Sequence, residues 1–360
     1  MSDSQHEHHH APPNSIEAAI GVVANPMSGR DVRRLAARAP QQTPESKRNQ
    51  IQRAVIGAVA AGAGRVLLAR DCFRISQGAA ESLHVDAEIE FLDFANETKP
   101  SDTLRTVTMM RELGCKVLIV LGGDGTNRLV TSVWPEAPLV PISTGTNNVF
   151  PDMLEATSAG ASAGLVASGR IALEEVAQRA KIIEAEFPEG RRDFAVIDAT
   201  LLADDHPGSL MPFRPEQVRH LVLTRAEPTA VGMSPIGGFL HPSGKQDDFG
   251  VEVRCSGPGG GGRPLLVPVS PGLYGNAYVI ESRELKLDQP IEMRGPGVIA
   301  FDGDRQRVLH SEEGVILRLT RGGPWVIDVH RTLQLAAEKG LFFDRHWHDH
   351  LTDAGGVDCC

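Results

Sequence analysis

Short apolar runs and amphipathic stretches alternate from Glu17 to about Phe150. AAIGVVA (Ala18 to Ala24), RVLLA (Arg65 to Ala69), AEIEFLDF (Ala87 to Phe94), KVLIVL (Lys116 to Leu121) and LVPI (Leu139 to Ile142) read as strands. Between them, Asp31 to Ala39, Lys47 to Ala61, Ser76 to Leu83, Asp102 to Leu113 and Asn127 to Val133 carry helical spacing. In Asp102 to Leu113, for example, Leu104, Val107, Met110 and Leu113 share one face. This alternation predicts an α/β domain with a parallel sheet covered on both sides. Its ligand crevice lies beyond the carboxyl ends of the strands, which directs attention to the residues after Ala24, Leu121 and Ile142.

The pattern then changes. Asp152 to Ala180 is alanine-rich and reads as helical, and Asp193 to Ile327 reads as short strands separated by turn clusters. These strands are DFAVIDATLL, VRHLVLTRA, FGVEVRC, RPLLVPV, NAYVIE, IEMR, VIAFDG, VILRLT and WVIDV. Thr332 to Phe343 is amphipathic and is expected to pack back as a helix. The expected organisation is a tail (1–15), an α/β domain (16–150), a helical connection (151–185), a β-rich domain (186–330), a C-terminal helix (331–345) and a second tail (346–360).

Composition sharpens this reading. The chain has 360 residues, 41% apolar and 23% charged, with 37 glycines and 24 prolines, so it can bury a large core and is richer than usual in turn formers. Twelve prolines fall between Pro207 and Pro296 and ten glycines between Gly232 and Gly262, in the β half. A net charge of −10 argues against nucleic-acid or membrane-surface binding. Five scattered cysteines, no apolar run of membrane-spanning length and no signal-like start lead us to expect a cytoplasmic protein. Histidines cluster in both tails (His6, His8, His9, His10; His346, His348, His350), where a solvated tail is the ordinary reading and a metal site the alternative. Cys359 and Cys360 lack a prenylation pattern. No metal-ligating set is expected elsewhere.

The sharpest motif is VLIVLGGDGTNRLV, Val117 to Val130. A strand ends in Gly122-Gly123-Asp124-Gly125-Thr126 and a helix follows at Asn127. Three glycines allow positive φ and close approach of a ligand, so that backbone amides can donate to phosphate oxygens at a helix N-terminus. The carboxylate of Asp124 repels polyphosphate unless a divalent cation intervenes or unless it takes a proton from an attacking hydroxyl. The spacing is neither the dinucleotide fingerprint nor a Walker loop, and the competing reading is a tight turn capped by Asp124 or Thr126. Two further loops, Asn25-Pro26-Met27-Ser28-Gly29-Arg30 and Ser143-Thr144-Gly145-Thr146-Asn147-Asn148, fall at the same end of the sheet.

Together these loops resemble the superfamily shared by NAD kinases and diacylglycerol or sphingosine kinases. NPMSGRDVRRL, GGDGTNR and PISTGTNNVFP are most similar to the branch of the ATP-NAD kinase family that contains the acetoin-catabolism X protein. DFAVIDATLL, SPIGGFLHP and IAFDGD match more loosely. The resemblance implies a nucleotide-binding α/β domain, a sandwich-like β domain that binds the acceptor, and ATP with Mg²⁺ in a cleft between them. It implies Asp124 as the acid-base residue. Asn25, Ser28, Gly29, Gly122, Gly123, Gly125, Thr126, Asn127, Gly145, Thr146 and Asn148 would hold the nucleotide, and Asp198 and Asp302 would line the acceptor side. The Asn-Glu pair of NAD kinases is replaced by Ile197-Asp198, and their Thr-Gly-Ser-Thr-Ala-Tyr segment by TAVGMSPIGG.

Other residues keep two readings. Arg30, Arg33 and Arg34 neutralise phosphate or form a solvated face. Arg128 reaches a phosphoryl group or pairs on its own helix. Asp302-Gly303 lines the cleft or makes a hairpin turn. GPGGGG (Gly257 to Gly262) reads as a turn, since no helix follows it.

The function expected is transfer of a phosphoryl group from ATP, or polyphosphate, to the 2′-hydroxyl of the NAD adenosine ribose. A lipid-type or small-alcohol kinase and a non-catalytic nucleotide-binding regulator associated with acetoin catabolism are the alternatives. A small-molecule partner and a homo-oligomer are expected.

Overall fold

The protein, as a computed structural model, is described over residues 15–28, 43–145, 147–209 and 213–343. The expected helix from Asp31 to Ala39 lies outside the described residues, as do Gly29, Arg30, Arg33, Arg34, Thr146, the tail histidines, Cys359 and Cys360.

The first half runs β1 (Ser15–Ala24), α1 (Pro44–Ala60), β2 (Ala63–Ala69), α2 (Ile75–Ala80), β3 (Glu88–Leu92), α3 (Pro100–Glu112), β4 (Val117–Gly122), α4 (Asp124–Val133), β5 (Pro138–Ser143) and α5 (Ala156–Ala167). The apolar runs form strands covered on both faces; every residue of β4 is buried. These strands lie parallel in the order β3-β2-β1-β4-β5. From β1 the chain builds outward to β3 and then returns to the other side of β1 for β4 and β5. That reversal is a topological switch point, the place where open α/β sheets bind ligands. The pairings Ala24↔Leu121 and Gly122↔Ser143 bring the ends of β1, β4 and β5 to one edge.

Helices cover both faces of this sheet. Ile51 of α1, Ile75 of α2 and Leu165 of α5 pack on one face, and Val107 and Met110 of α3 with Val130 of α4 on the other. The glycines of the alanine-rich α5 serve a close helix contact. A Cβ on Gly160 would lie 1.9 Å from the Ala54 carbonyl oxygen of α1, which only a missing side chain relieves.

The second half comprises α6 (Leu173–Val176), β6 (Ala177–Arg179), β7 (Ile182–Glu186), β8 (Arg192–Ala195), β9 (Asp198–Leu202), β10 (Val218–Leu223), α7 (Ser234–Gly238), β11 (Phe249–Ser256), β12 (Arg263–Ser270), β13 (Leu273–Lys286), β14 (Pro290–Arg294), β15 (Gly297–Phe301), β16 (Asp304–Leu309), β17 (Gly314–Thr320), β18 (Trp325–Ile327) and α8 (Val329–Glu338). Two antiparallel sheets, β12-β13-β11-β10-β9-β15-β16 and β14-β17-β7-β8, face each other across Ile183, Ala185, Leu285, Met293, Phe301 and Leu317. This is the sandwich-like arrangement that the resemblance implied.

Several elements differ from the expected pattern. The stretch from Asp152 to Ala180 is not helical throughout, because it ends in β6. WVIDV does not join the β half; β18 pairs parallel with β5 and antiparallel with β6, so that it extends the first sheet and leaves β6 as its edge. The terminal helix starts earlier than its periodicity suggests, because the Asp328 side chain accepts from the Arg331 amide and caps it. KIIEAEF and DRQRVL supply the strands β7 and β16, which the apolar pattern did not single out. The GPGGGG turn links β11 to β12, which are not neighbours, and Gly259 and Gly261 take φ of +78° and +87°.

DFAVIDATLL is two strands in two sheets. The chain changes sheet at Val196 and Ile197, where the ladder cannot satisfy their amides. The Asp302 carboxylate accepts from Val196, Ile197 and Asp198, at 2.9, 2.7 and 3.2 Å.

Candidate active site

The loops after β1, β4 and β5 interlock at the switch point. The Asn25 side-chain amide donates to Thr126 Oγ1 at 3.0 Å, Thr144 Oγ1 donates to Ser28 Oγ at 3.0 Å, and the Asn148 amide donates to Ser143 Oγ at 2.9 Å. A residue that the sequence pattern did not single out organises the first loop. Lys47 of α1 is buried, and its Nζ donates to the carbonyls of Asn25, Pro26 and Ser28 at 2.9, 2.9 and 2.6 Å. Its position in an amphipathic helix gave no signal. Lys47→Met leaves these carbonyls unpaired and is expected to cost about 3 kcal/mol of folding stability. The urea midpoint reads this, and an unshifted midpoint would remove Lys47 from that role.

None of Gly122, Gly123 and Gly125 adopts positive φ, contrary to the reading of the glycine run. These glycines serve close packing instead. A Cβ on Gly122 would lie 2.5 Å from the Thr126 side chain, and one on Gly123 2.6 Å from Asn148 Oδ1. Gly125 differs: a Cβ there meets nothing within 4 Å, so open space lies over the first turn of α4. Gly145 sits in the neighbouring loop, where its carbonyl accepts from Ser143 Oγ. Asn127 is buried; its side-chain amide donates to the Gly123 carbonyl and its Oδ1 has no partner.

Asp124 is not a cap. Gly123 is the N-cap of α4, and the Asp124 carboxylate crosses to the third loop. There Oδ1 accepts from the amides of Val149 at 3.1 Å and Phe150 at 2.8 Å, and Oδ2 lies 3.2 Å from the Val149 amide. Burial pushes its pKa up to about 7; the two amides and Arg225 oppose the shift, and the charge of Asp302 adds to it.

A cavity of about 90 Å³ opens beside Asp124 between the two domains, lined also by Asp198, Asp302, Phe213, Met233 and Arg305. Asp198 and Asp302 thus line the same cavity as Asp124. Asp198 Oδ1 accepts from Thr200 Oγ1 at 3.0 Å. Burial lifts both carboxyls above the usual range, and the charge of Asp302 lifts Asp198 further. Both readings of Asp302-Gly303 hold. These residues, at φ 51° and 77°, form the two-residue turn between β15 and β16, while the carboxylate points to the cavity and the sheet crossing.

Arg128 follows neither of its two readings. From α4 it reaches the β domain, where NH2 pairs with Asp193 Oδ1 at 2.7 Å and Nε donates to the Phe194 carbonyl at 2.8 Å. Its guanidinium also lies over the rings of Phe194 and Phe301. Arg225, likewise unmarked in the sequence, meets the third loop from the opposite side.

Among the described residues no three His, Cys, Asp or Glu side chains converge to hold a metal ion. No described helix is long and apolar enough to cross a membrane.

Known proteins bear on this site. Residues 20–171 match the ATP-NAD kinase N-terminal domain, and residues 181–322 match the Acetoin catabolism protein X C-terminal domain. Acetoin catabolism protein X of Cupriavidus necator is 31% identical over 319 residues, covering 84% of this chain and 88% of that protein. Two structures of a diacylglycerol kinase candidate from Bacillus anthracis str. Sterne superpose with TM-scores of 0.43 and 0.42, at 11% and 12% identity, over 86% of this chain and 97% and 98% of theirs.

Proposed function

The chain belongs to the acetoin catabolism protein X branch of the ATP-NAD kinase family, and from that membership we propose that it transfers a phosphoryl group to a hydroxyl, with Asp124 as general base. One observation carries this reading. A partly buried carboxylate, fixed by two backbone amides and pushed up to about 7 by desolvation, faces a cavity to which the second domain adds Asp198 and Asp302. A group with that pKa takes a proton efficiently at cellular pH.

The donor, ATP in this reading, lays its phosphates in the open space over Gly125, rimmed by the loops of Asn25, Ser28, Gly145 and Asn148. The α4 N-terminus favours negative charge there. A divalent cation bound with the nucleotide would offset phosphate charge. Asp124, ionised, accepts the proton of the attacking hydroxyl, and the apolar wall of Phe213 and Met233 keeps competing water out. Asp198, whose burial beside the charge of Asp302 favours retention of its proton, offers a donor to an acceptor oxygen, while Asp302 stays bound to three backbone amides.

The first acceptor to test is NAD at its 2′-hydroxyl, supported by the kinase domain and by the acid retained at Asp198. The second is a compact alcohol, held beside Asp124 by the polar Asp198 and the apolar Phe213 and Met233. Incubation with ATP-Mg²⁺ and NAD, NADH, diacylglycerol or small diols, read by mass, separates them. We expect a product one phosphoryl group heavier than its acceptor. Nucleotide binding with no phosphorylated product across the panel would overturn the kinase reading in favour of a regulator.

A further inference from the structure

Val149 and Phe150 are held from both sides. Their amides donate to the Asp124 carboxylate, and their carbonyls accept from a single nitrogen, Arg225 NH1, at 3.0 and 3.1 Å. The peptide group between them has its carbonyl on the guanidinium and its N–H on the carboxylate. It is therefore polarised in the sense that stabilises the ionised acid. Arg225 follows β10 in the second domain, and it is 5% exposed, with its guanidinium over the Phe150 ring at 5.1 Å. Among the described residues no carboxylate pairs with Arg225, and Asp124 is among the acids whose field reaches it. The rest of its hydrogen-bonding environment also locks the strand end. The Arg225 carbonyl accepts from Ser234 Oγ at 2.8 Å, and Ser234 Oγ accepts from the Glu227 amide at 2.8 Å.

We propose that Arg225 is a positioning residue for Asp124, acting through the Val149–Phe150 peptide group, so that docking of the β domain sets the place and the charge of the base in the α/β domain. This rests on the assignment of Asp124 as the base. It makes the site dependent on both domains: without Arg225 in place, the third loop has no charge behind its carbonyls and Asp124 retains its proton. The groups that face this relay are Asp198 and Asp302 on the Asp124 side, and Asp152, Glu227, Lys181 and Arg321 on the Arg225 side. Of these, Asp302 opposes ionisation of Asp124, whereas Arg225 favours it.

The test is the titration of the Asp124 carboxyl carbon by NMR in protein labelled at aspartate, assigned with Asp124→Asn. In Arg225→Gln the midpoint is expected to rise by about one unit, whereas Arg225→Lys, which keeps the charge, restores much of it. The acid limb of the rate profile should move with it, so that the rate recovers at high pH. A merely structural loss would depress the rate equally at all pH values. A folded Arg225→Gln protein with an unmoved carboxyl midpoint would overturn the proposal. Should that variant not fold, the unaltered protein decides: the Arg225 side-chain nitrogens are expected to shift with the Asp124 midpoint, and their failure to do so overturns the coupling. The carboxyl titration needs no substrate, so a protein that phosphorylates nothing would sink the kinase reading and still report on the relay.

Discussion

Asp124→Asn is expected to leave the fold intact and to lower turnover at least about a hundredfold, within the ~10²–10⁴ contributed by a positioned base. Asparagine keeps the size of the side chain, and its Oδ1 can still accept from Val149 and Phe150. The proton acceptor is lost, together with the longer contact of Oδ2 to the Val149 amide. Because burial raises the Asp124 pKa to about 7, the wild-type rate should fall as pH drops through 7, since the base must be ionised. The same shift has the opposite sense for stability. A carboxyl whose folded pKa lies above its unfolded value stabilises the fold below the unfolded value, near 4, and loses that contribution as pH rises through 7. Asp124→Asn should therefore unfold at a higher temperature than wild type at pH 8, with the difference vanishing towards pH 4. A near-normal rate in this variant would sink the mechanism, and lower stability at pH 8 would contradict the buried charge.

Removal of one link between the domains gives the second large effect. Arg128→Met is expected to destabilise the protein by about 3 kcal/mol, the lower end of what breaking a buried pair costs. The guanidinium pairs with Asp193 and lies 3.9 Å from both Asp302 and Asp304. Its loss leaves the nearly inaccessible Asp302 without its neighbouring cation and Asp193 with only the more exposed Arg191, 3.7 Å away. Methionine fills the space between Phe194 and Phe301 but supplies no charge. Urea denaturation measures the loss, and a cycle with Asp193→Asn should return a coupling of about 1 kcal/mol or more. Additive single effects would show that the Arg128–Asp193 pair itself contributes nothing.

These two residues mark where sequence reasoning reached and where it stopped. Asp124 was visible because it interrupts a glycine loop at the end of an apolar strand, a position at which a carboxylate needs a chemical reason. Arg128, four residues later, resembled any helical arginine. Its partners, Asp193 and the Phe194 carbonyl, lie 65 and 66 residues away. The DFAVIDATLL run shows the same limit, since its apolar pattern is continuous across a change of sheet that only the Asp302 carboxylate, more than a hundred residues on, makes possible.

The glycines divide along this line too. The turn glycines of the β half follow from composition, and a Cβ on Gly125 would meet only open space. Gly122 and Gly123, expected to bend the backbone, instead make room for Thr126 and Asn148, and Gly160 lets α5 touch α1.

The sequence by itself determined the alternation that builds a parallel sheet, the loops at its carboxyl edge and the acid among them, because strand periodicity and turn chemistry are local. Tertiary structure alone decided that β18 extends the first sheet, that Lys47 ties the first loop, and that Arg225 and Asp302 act on Asp124 from another domain. Those contacts set burial and field, and the charge of a buried carboxylate depends on what surrounds it in space rather than on its neighbours along the chain.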